Sequence, residues 1–471
     1  MASHLARRLL IAVWALAAAA AAQTINRNWT QFGGNAARTS APAGPTGITA
    51  ANVNALVRRQ VPLDGTVDAS VIYIHGAQVK GAAHNTIFFT TSFGKTEALD
   101  ADTGALLWTF TPPDYAALTQ SRQVTNSTPI ADPGLQAIYA ASPDGYIQKL
   151  AVSDGHVLWR TAITLLPLRE KMDSPLSYGS GHVIAVTAGY IGDRSPYQGH
   201  VAILDPASGQ LLHVWNSLCS NRTGLIQPAS CPESDSAIWG RAGAVQDAQG
   251  NIFVATGNAR WDGSTYWGDS VIELNPDATR MLANYTPANT DELQMRDLDL
   301  GSTSPVLLGN GLIAQGGKDR LIRLISLAAI AGTAPHQDHE LQTVPTPGGQ
   351  MLFTAPAVWR HDGQTWMIAA DGRGTEAWEV VHQRLVTQWR NANGGTSPVV
   401  AGGLLFVYGG YDPGLRVYDP ATGKQIADLA CGSGHWNSPI VVDGKIILPE
   451  GNVNRRLTTG TLDIWSLPAA K

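Results

Sequence analysis

Few side chains in this sequence stand at spacings that do chemistry unaided. The segment 334–340, Ala-Pro-His-Gln-Asp-His-Glu, brings His336, Asp338 and His339 close together. Imidazole nitrogens and carboxylates are donors that zinc and similar ions accept. The segment lies among Ala and Pro residues with no further ligand in spacing, so it reads as an exposed loop. His435 and Trp436 stand in Gly-Ser-Gly-His-Trp-Asn-Ser-Pro, residues 432–439, just ahead of a strand-forming run. An imidazole there either lines a pocket or hydrogen-bonds within the core. No Ser-His-Asp order for acyl transfer, no Gly-rich phosphate loop and no two-cysteine zinc pair is present. A Cys-x-x-Cys-His haem attachment is missing as well. Any reactive centre must therefore be assembled by the fold from distant positions.

The elements available to assemble it repeat. Residues 99–108 (LDADTGALLW), 152–159 (VSDGHVLW), 204–215 (LDPASGQLLHVW) and 418–426 (YDPATGKQI) share one pattern. It is a strand ending in Asp, a tight turn ending in Gly, then a second strand, usually with an aromatic. Asp caps the turn through its side chain and Gly supplies the positive φ. Degenerate copies occupy 274–279 and 378–389. A second pattern precedes the copies: a Ser-Pro, Thr-Pro or Ala-Pro pair at 128–129, 174–175, 304–305, 355–356, 397–398 and 438–439 opens a short apolar strand. Each unit is thus four strands in about 40–55 residues, the sign of a β-propeller. The fold class is all-β, with eight blades counted and seven left open. The last unit shows three strands, and residues 55–63 near the N-terminus supply the missing one. That exchange closes the ring and hides two sheet edges. Trp108, Trp159, Trp215 and Trp389 follow the turns and read as apolar plates packed between blades.

Composition agrees. Only 15% of residues are charged, against 49 Gly and 27 Pro, which suits short strands and turns better than long solvated helices. A formal net charge of −5 offers no basic field for nucleic acid. Residues 1–22 carry Arg7 and Arg8 before an apolar run closed by small residues, the pattern of a secretory signal peptide. The run is too short for a bilayer span of about 20 residues, and no second one follows. The expected domain is therefore 23–471, a propeller in the periplasm or the external medium, with no membrane span. In that oxidising setting Cys219 and Cys231, close together in a polar insertion, are expected to pair. Closing such a loop stabilises by about 3 kcal/mol in the chain-entropy model. Cys431 is left as a thiol.

The repeat Ala/Leu-x-Asp-x-x-Thr-Gly-x-x-x-Trp resembles that of the quinoprotein propellers over most of residues 50–468. That superfamily joins enzymes carrying pyrroloquinoline quinone (PQQ) to relatives without a cofactor, among them the propeller scaffold of outer-membrane protein assembly. The central segment is similar to the PQQ-dependent alcohol dehydrogenases, and nearer to their polyvinyl-alcohol branch. In 237–258 (AIWGRAGAVQDAQGNIFVATGN) the resemblance implies Trp239 as the quinone floor and Asn258 as a calcium ligand. In 297–308 (DLDLGSTSPVLL) it implies Asp299 as the catalytic base, with Asp297 the alternative. In 314–325 (AQGGKDRLIRLI) it implies Lys318 on the quinone oxygens. The family's third-blade Glu to calcium has no counterpart in 186–201; Asp193 is the nearest carboxylate. The vicinal Cys-Cys of the alcohol dehydrogenases is also missing.

These types suit the chemistry. An indole face gives a flat quinone stacking area, and calcium takes amide and carboxylate oxygens. An Asp accepts an alcohol proton, and a Lys steadies charge on a quinone oxygen. Two readings follow. One is a quinoprotein dehydrogenase that oxidises a small-molecule alcohol and passes electrons to a separate carrier, since no haem is carried. The other is a cofactor-free scaffold with protein partners. They part on whether Trp239, Asn258, Asp299 and Lys318 face one shared cavity.

Overall fold

The computed structural model describes residues 27–192 and 194–468. Residues 1–22, read above as a signal peptide, lie outside the described residues, and so does Asp193.

Eight four-stranded antiparallel sheets stand in a ring, which settles the blade count. The first seven cover residues 72–110, 130–162, 177–216, 245–285, 306–345, 357–391 and 399–429. The eighth takes three strands from 440–466 and its outermost strand, Val57–Leu63, from the N-terminal region. Val57 pairs with Ser466 and Leu63 with Gly460. The closing strand starts at Val57 rather than Ala55 because Val53–Ala55 wind into a 3-10 turn. The guanidinium of Arg58 holds the closure with a fork onto Asp463, at 2.9 and 2.8 Å, and a further bond to Glu450 Oε1 at 2.9 Å.

The Asp-to-Gly turns form as their sequence requires. Asp100 Oδ1 accepts the backbone N–H groups of Asp102 and Thr103, and Asp419 Oδ1 those of Ala421 and Thr422. Three of the turns also receive the Trp of the preceding blade, while the turn at Gly104 packs against Val61 of the closing strand. Trp108 Nε1 donates to Val152 O at 2.9 Å, Trp159 Nε1 to Pro206 O at 3.2 Å, and Trp389 Nε1 to Pro420 O at 2.9 Å. The indole then lies flush on the turn glycine. A Cβ on Gly155 would stand 2.5 Å from the Trp108 ring, so glycine is needed there for room as well as for its φ of 76°. The expected plates between blades are therefore plates with a hydrogen-bonding edge.

Within a blade the innermost strand and the second strand run antiparallel. Residues just before the first and just after the second consequently share one face of the ring, called here the upper face. The Ser/Thr/Ala-Pro pairs sit there, directly ahead of inner strands such as Ile130–Ala131 and Ile440–Val442. The lower face is covered by residues 29–46. Their carbonyls accept from the inner strands of blades two, four, six and seven: Thr30 from Ala131, Ala36 from Gln246, Thr39 from Val358 and Ser40 from Val400. Phe32 is buried with Ala242, Val245, Phe253 and Ala355. Arg38 is fully enclosed and donates to Phe32 O at 2.7 Å and Leu176 O at 2.6 Å. The lower end of the channel is thus stopped, and the upper end is left to carry a site.

Cys219 and Cys231 form the expected disulfide, with Cα atoms 6.1 Å apart. Cys431 is a half-buried free thiol, pushed up to about 12 by burial. Among the described residues no helix is long and apolar enough to cross a membrane.

Candidate active site at the upper mouth of the channel

Trp239, Asn258, Asp299 and Lys318 all line one cavity of about 290 Å³ on the upper face. Each comes from the position the blade geometry prescribes. Trp239 and Asp299 precede the inner strands of blades four and five, while Asn258 and Lys318 follow their second strands. Asp297 is on the wall too. Asp193 lies outside the described residues, and Gly192 before it lines the cavity.

The charged wall is tightly bonded. Lys318 Nζ lies 2.6 Å from Asp299 Oδ2 and 2.8 Å from Asp297 Oδ1. Asp299 Oδ1 accepts the backbone N–H of Asn258 at 2.6 Å. Gly257 allows that approach, since a Cβ there would come within 3.0 Å of the same oxygen. Burial raises the pKa of Asp299, and the charge of Lys318 opposes the rise. Lys318 is raised in turn: burial works against it, and Asp299 and Asp297 outweigh burial. Behind them Asp269 Oδ1 accepts Leu300 N–H at 2.9 Å, and its other oxygen has no partner among the described residues. Burial raises the pKa of Asp269 well above its usual value, against the pull of the Leu300 N–H.

The floor is aromatic. The Trp239 ring centre is 5.8 Å from Phe353 and 6.0 Å from Trp436, and Lys318 Nζ stands 5.3 Å over Trp239. His435 stacks on Trp436 at 4.3 Å. The guanidinium of Arg241, buried, lies 5.0 Å from the other indole, Trp436. On the blade-three side Lys171 Nζ is 2.8 Å from Asp173 Oδ1, off the hydrogen-bond line.

Phe353, Lys171, Asp173 and Asp68 were not singled out from the sequence, whereas His435 and Trp436 were, and both line the cavity. A signal for Phe353 and Asp173 was there. Like Trp436, each sits just ahead of a Ser-Pro or Ala-Pro pair, where an inner strand begins at the channel. The pair His336 and His339 has no such placement. The rings lie 5.6 Å apart in the insertion after blade five's third strand, and no cluster of three or more metal-ligating side chains occurs among the described residues.

A larger groove, about 940 Å³, lies on the lower face. Its charged side chains are already bonded. Asp247 accepts from Gln249 and Asn251 N–H, and Arg360 donates to Leu308 O. It offers no convergent reactive group.

Comparison with known proteins agrees with the fold. Residues 29–224 match a family model described as outer membrane protein assembly factor BamB. Polyvinylalcohol dehydrogenase of Sphingopyxis sp. (strain 113P3) is 23% identical over 410 residues. The match covers 74% of this chain and 60% of that protein, so the chain spans less than two thirds of its relative. Among solved structures, the quinohemoprotein alcohol dehydrogenase of Comamonas testosteroni superposes with a TM-score of 0.71 at 15% identity, covering 94% of this chain and 81% of that one. The fold is that of a PQQ-type β-propeller. A europium-containing methanol dehydrogenase gives 0.66 at 14% identity over 93% of this PQQ-type propeller and 98% of its own chain. BamB from Moraxella catarrhalis gives 0.51 at 13% identity over 88% and 99%.

Does this PQQ-type propeller hold residues that suit the quinone and calcium? For a flat anionic quinone it does. Trp239, Phe353 and Trp436 line it with aromatic surface, and Lys171 and Lys318 bring ammonium groups, each already paired with carboxylates of the wall. A cavity of about 290 Å³ sits near the lower bound for small-molecule sites. For calcium the described residues fit less well. The three carboxylates on the wall, Asp173, Asp297 and Asp299, are each paired with an ammonium. Asn258 is the neutral oxygen donor expected for the ion, and no unpaired carboxylate accompanies it among the described residues.

Proposed function

We propose that this chain is an exported quinoprotein dehydrogenase that oxidises a small-molecule alcohol and hands its electrons to a separate carrier. The observation that carries the reading is that Trp239, Asn258, Asp299 and Lys318, from separate blades, line a single cavity. The relatives named alcohol and polyvinylalcohol dehydrogenases support it. PQQ, when bound, supplies the two-electron oxidant that takes hydride from a carbinol carbon. The residues of this chain bind and orient around it. Trp239 and Trp436 give stacking faces and exclude water from them. Lys318 sets a positive charge at the rim, where it would pair with a quinone oxygen. Asp299, held by Asn258 N–H and Lys318, fixes that ammonium in place. The hydroxyl proton must go to a group on the same wall, where Asp299, its alternative Asp297, and His435 are the candidates. Calcium in this reading depends on Asn258 with Asp193.

The test is titration calorimetry of the purified protein with PQQ, with and without Ca²⁺, together with turnover of alcohols using an artificial electron acceptor. Saturable quinone uptake, lost in Lys318→Ala with the fold intact, is expected. Uptake that needs no Ca²⁺ would remove the ion from the reading, and no uptake under either condition would end it.

A second reading is favoured by the assembly-factor match over 29–224: a cofactor-free propeller whose loops bind protein partners. It predicts no quinone uptake and unchanged behaviour in Lys318→Ala apart from stability.

A further inference from the structure

His435 lines two cavities at once. One is the 290 Å³ cavity with Trp239 and Lys318. The other, about 500 Å³, opens beside it on the upper face and is lined by Asp371, Arg373, Asn393, Tyr411 and Asp412 among others. Phe353, His435 and Trp436 are common to both and form the partition.

The imidazole on that partition is fixed from behind. Nδ1 lies 2.7 Å from Asp68 Oδ2, and both residues are buried. Asp68 is itself over-determined: Oδ1 accepts Trp436 N–H at 2.8 Å, and Oδ2 accepts Val453 N–H at 2.9 Å. Burial alone would raise Asp68, but the His435 bond, the His435 charge and the Val453 N–H bring its pKa below the usual value. An ionised carboxylate only accepts, so Nδ1 carries the hydrogen and Nε2 of the neutral ring carries the lone pair. No hydrogen bond to Nε2 occurs among the described residues, and the atom is not sealed in the core. Asp299, by contrast, has one oxygen on Asn258 N–H and the other on the Lys318 ammonium. Both of its oxygens are thus engaged, although burial raises its pKa.

We propose that the alcohol enters by the 500 Å³ cavity with its carbinol carbon reaching past His435 to the 290 Å³ one, where the quinone would be held, and that His435 Nε2 is the general base that receives its hydroxyl proton, with Asp68 as the positioning residue. The proposal rests on the dehydrogenase reading and deepens it. The balance is simple. The substrate O–H bond breaks with its proton going to Nε2. The carbinol C–H bond breaks with its electron pair going to the quinone, which is reduced, and the C=O bond of the product forms. The imidazolium then loses its proton to solvent through the open mouth. The groups that face the ring and bear on its titration are Asp68, Tyr411 at 5.6 Å, and Arg241 beyond Trp436.

The experiment uses the full chain loaded with PQQ. Quinone uptake is read by quenching of tryptophan fluorescence, and turnover by an artificial acceptor across the pH range. In the wild type, kcat/KM should fall on the acid side as Nε2 becomes protonated. His435→Gln should take up quinone as the wild type does, lose about 10²–10⁴-fold in turnover and lose the acid limb. His435→Ala should regain turnover on adding imidazole, which covers the case of a distorted partition in the Gln variant. Asp68→Asn should lower turnover and displace the acid limb while uptake persists. Normal uptake with turnover of His435→Gln within about threefold of wild type overturns this proposal alone. An acid limb that vanishes in Asp299→Asn and survives in His435→Gln does the same. Failure of the wild type to take up quinone overturns the dehydrogenase reading, and this proposal with it.

Discussion

Lys318 Nζ sits 2.6 Å from Asp299 Oδ2, and the ammonium also leans over the Trp239 indole at 5.3 Å. One side chain therefore ties the acidic wall of the cavity to its aromatic floor. Its removal leaves Asp299, almost fully buried, with a backbone N–H as its remaining partner. Lys318→Ala is expected to cost about 3 kcal/mol, as for other broken buried pairs. Lys318→Ala/Asp299→Asn should recover part of that loss. Denaturant unfolding of the two variants checks the coupling, and equal stability would show that the pair contributes nothing.

The fit of Trp108 onto Gly155 makes a sharper packing prediction. Gly155→Ala forces a Cβ against the indole at a φ of 76° and should destabilise by at least about 2 kcal/mol. The reverse change is available where Trp215 meets the degenerate repeat. Ala278 there holds a φ of 54° in the cluster that contains Trp215. Ala278→Gly should stabilise by about 0.5–1 kcal/mol. Thermal melts of both variants test the pair, and shifts of the same sign would refute it.

Ring closure depends on Arg58. The fork onto Asp463 and the bond to Glu450 join the N-terminal strand to the last blade. Arg58→Ala strands Asp463, whose pKa burial already raises. A loss of about 3 kcal/mol is expected, together with faster proteolytic cutting near residues 50–57. Arg58→Lys should fall between the two, because an ammonium cannot reproduce the fork. Unchanged proteolysis would mean that the closing strand holds by its backbone pairing.

A pH dependence follows from Glu97. Burial first, then the charge of Asp64, lifts its carboxyl from the usual 4.5 to about 7. A raised folded pKa means that the native state binds the extra proton, so this group's contribution is present below about 4.5 and is lost as pH rises to about 7. Glu97→Gln should be more stable than wild type at pH 8, by on the order of 2 kcal/mol, and nearly equal to it at pH 4. Melting temperatures at the two pH values check this; a constant difference would rule it out.

Repetition made the ring legible before any coordinates. The Asp-to-Gly turns, the Pro-opened strands and the borrowed strand Val57–Leu63 depend on contacts close in sequence or on a repeating register. The disulfide between Cys219 and Cys231 was legible for the same reason. Trp239, Asn258, Asp299 and Lys318 were reached through resemblance, and their meeting in one cavity could not be read from their spacing.

What the sequence determined alone was the propeller itself: local turn chemistry and alternating apolar runs, repeated, admit few other closed solutions. Only the tertiary structure decided which side chains meet at the channel mouth. Each blade contributes one or two residues at strand ends, and no local pattern couples them. Asp68 and His435 stand 367 positions apart in the chain and share a bond of 2.7 Å, because closing the ring sets the first blade against the last. The same closure placed Lys171 on the wall of that cavity, paired every described carboxylate of the wall with an ammonium, and left His435 Nε2 without a hydrogen-bond partner among the described residues.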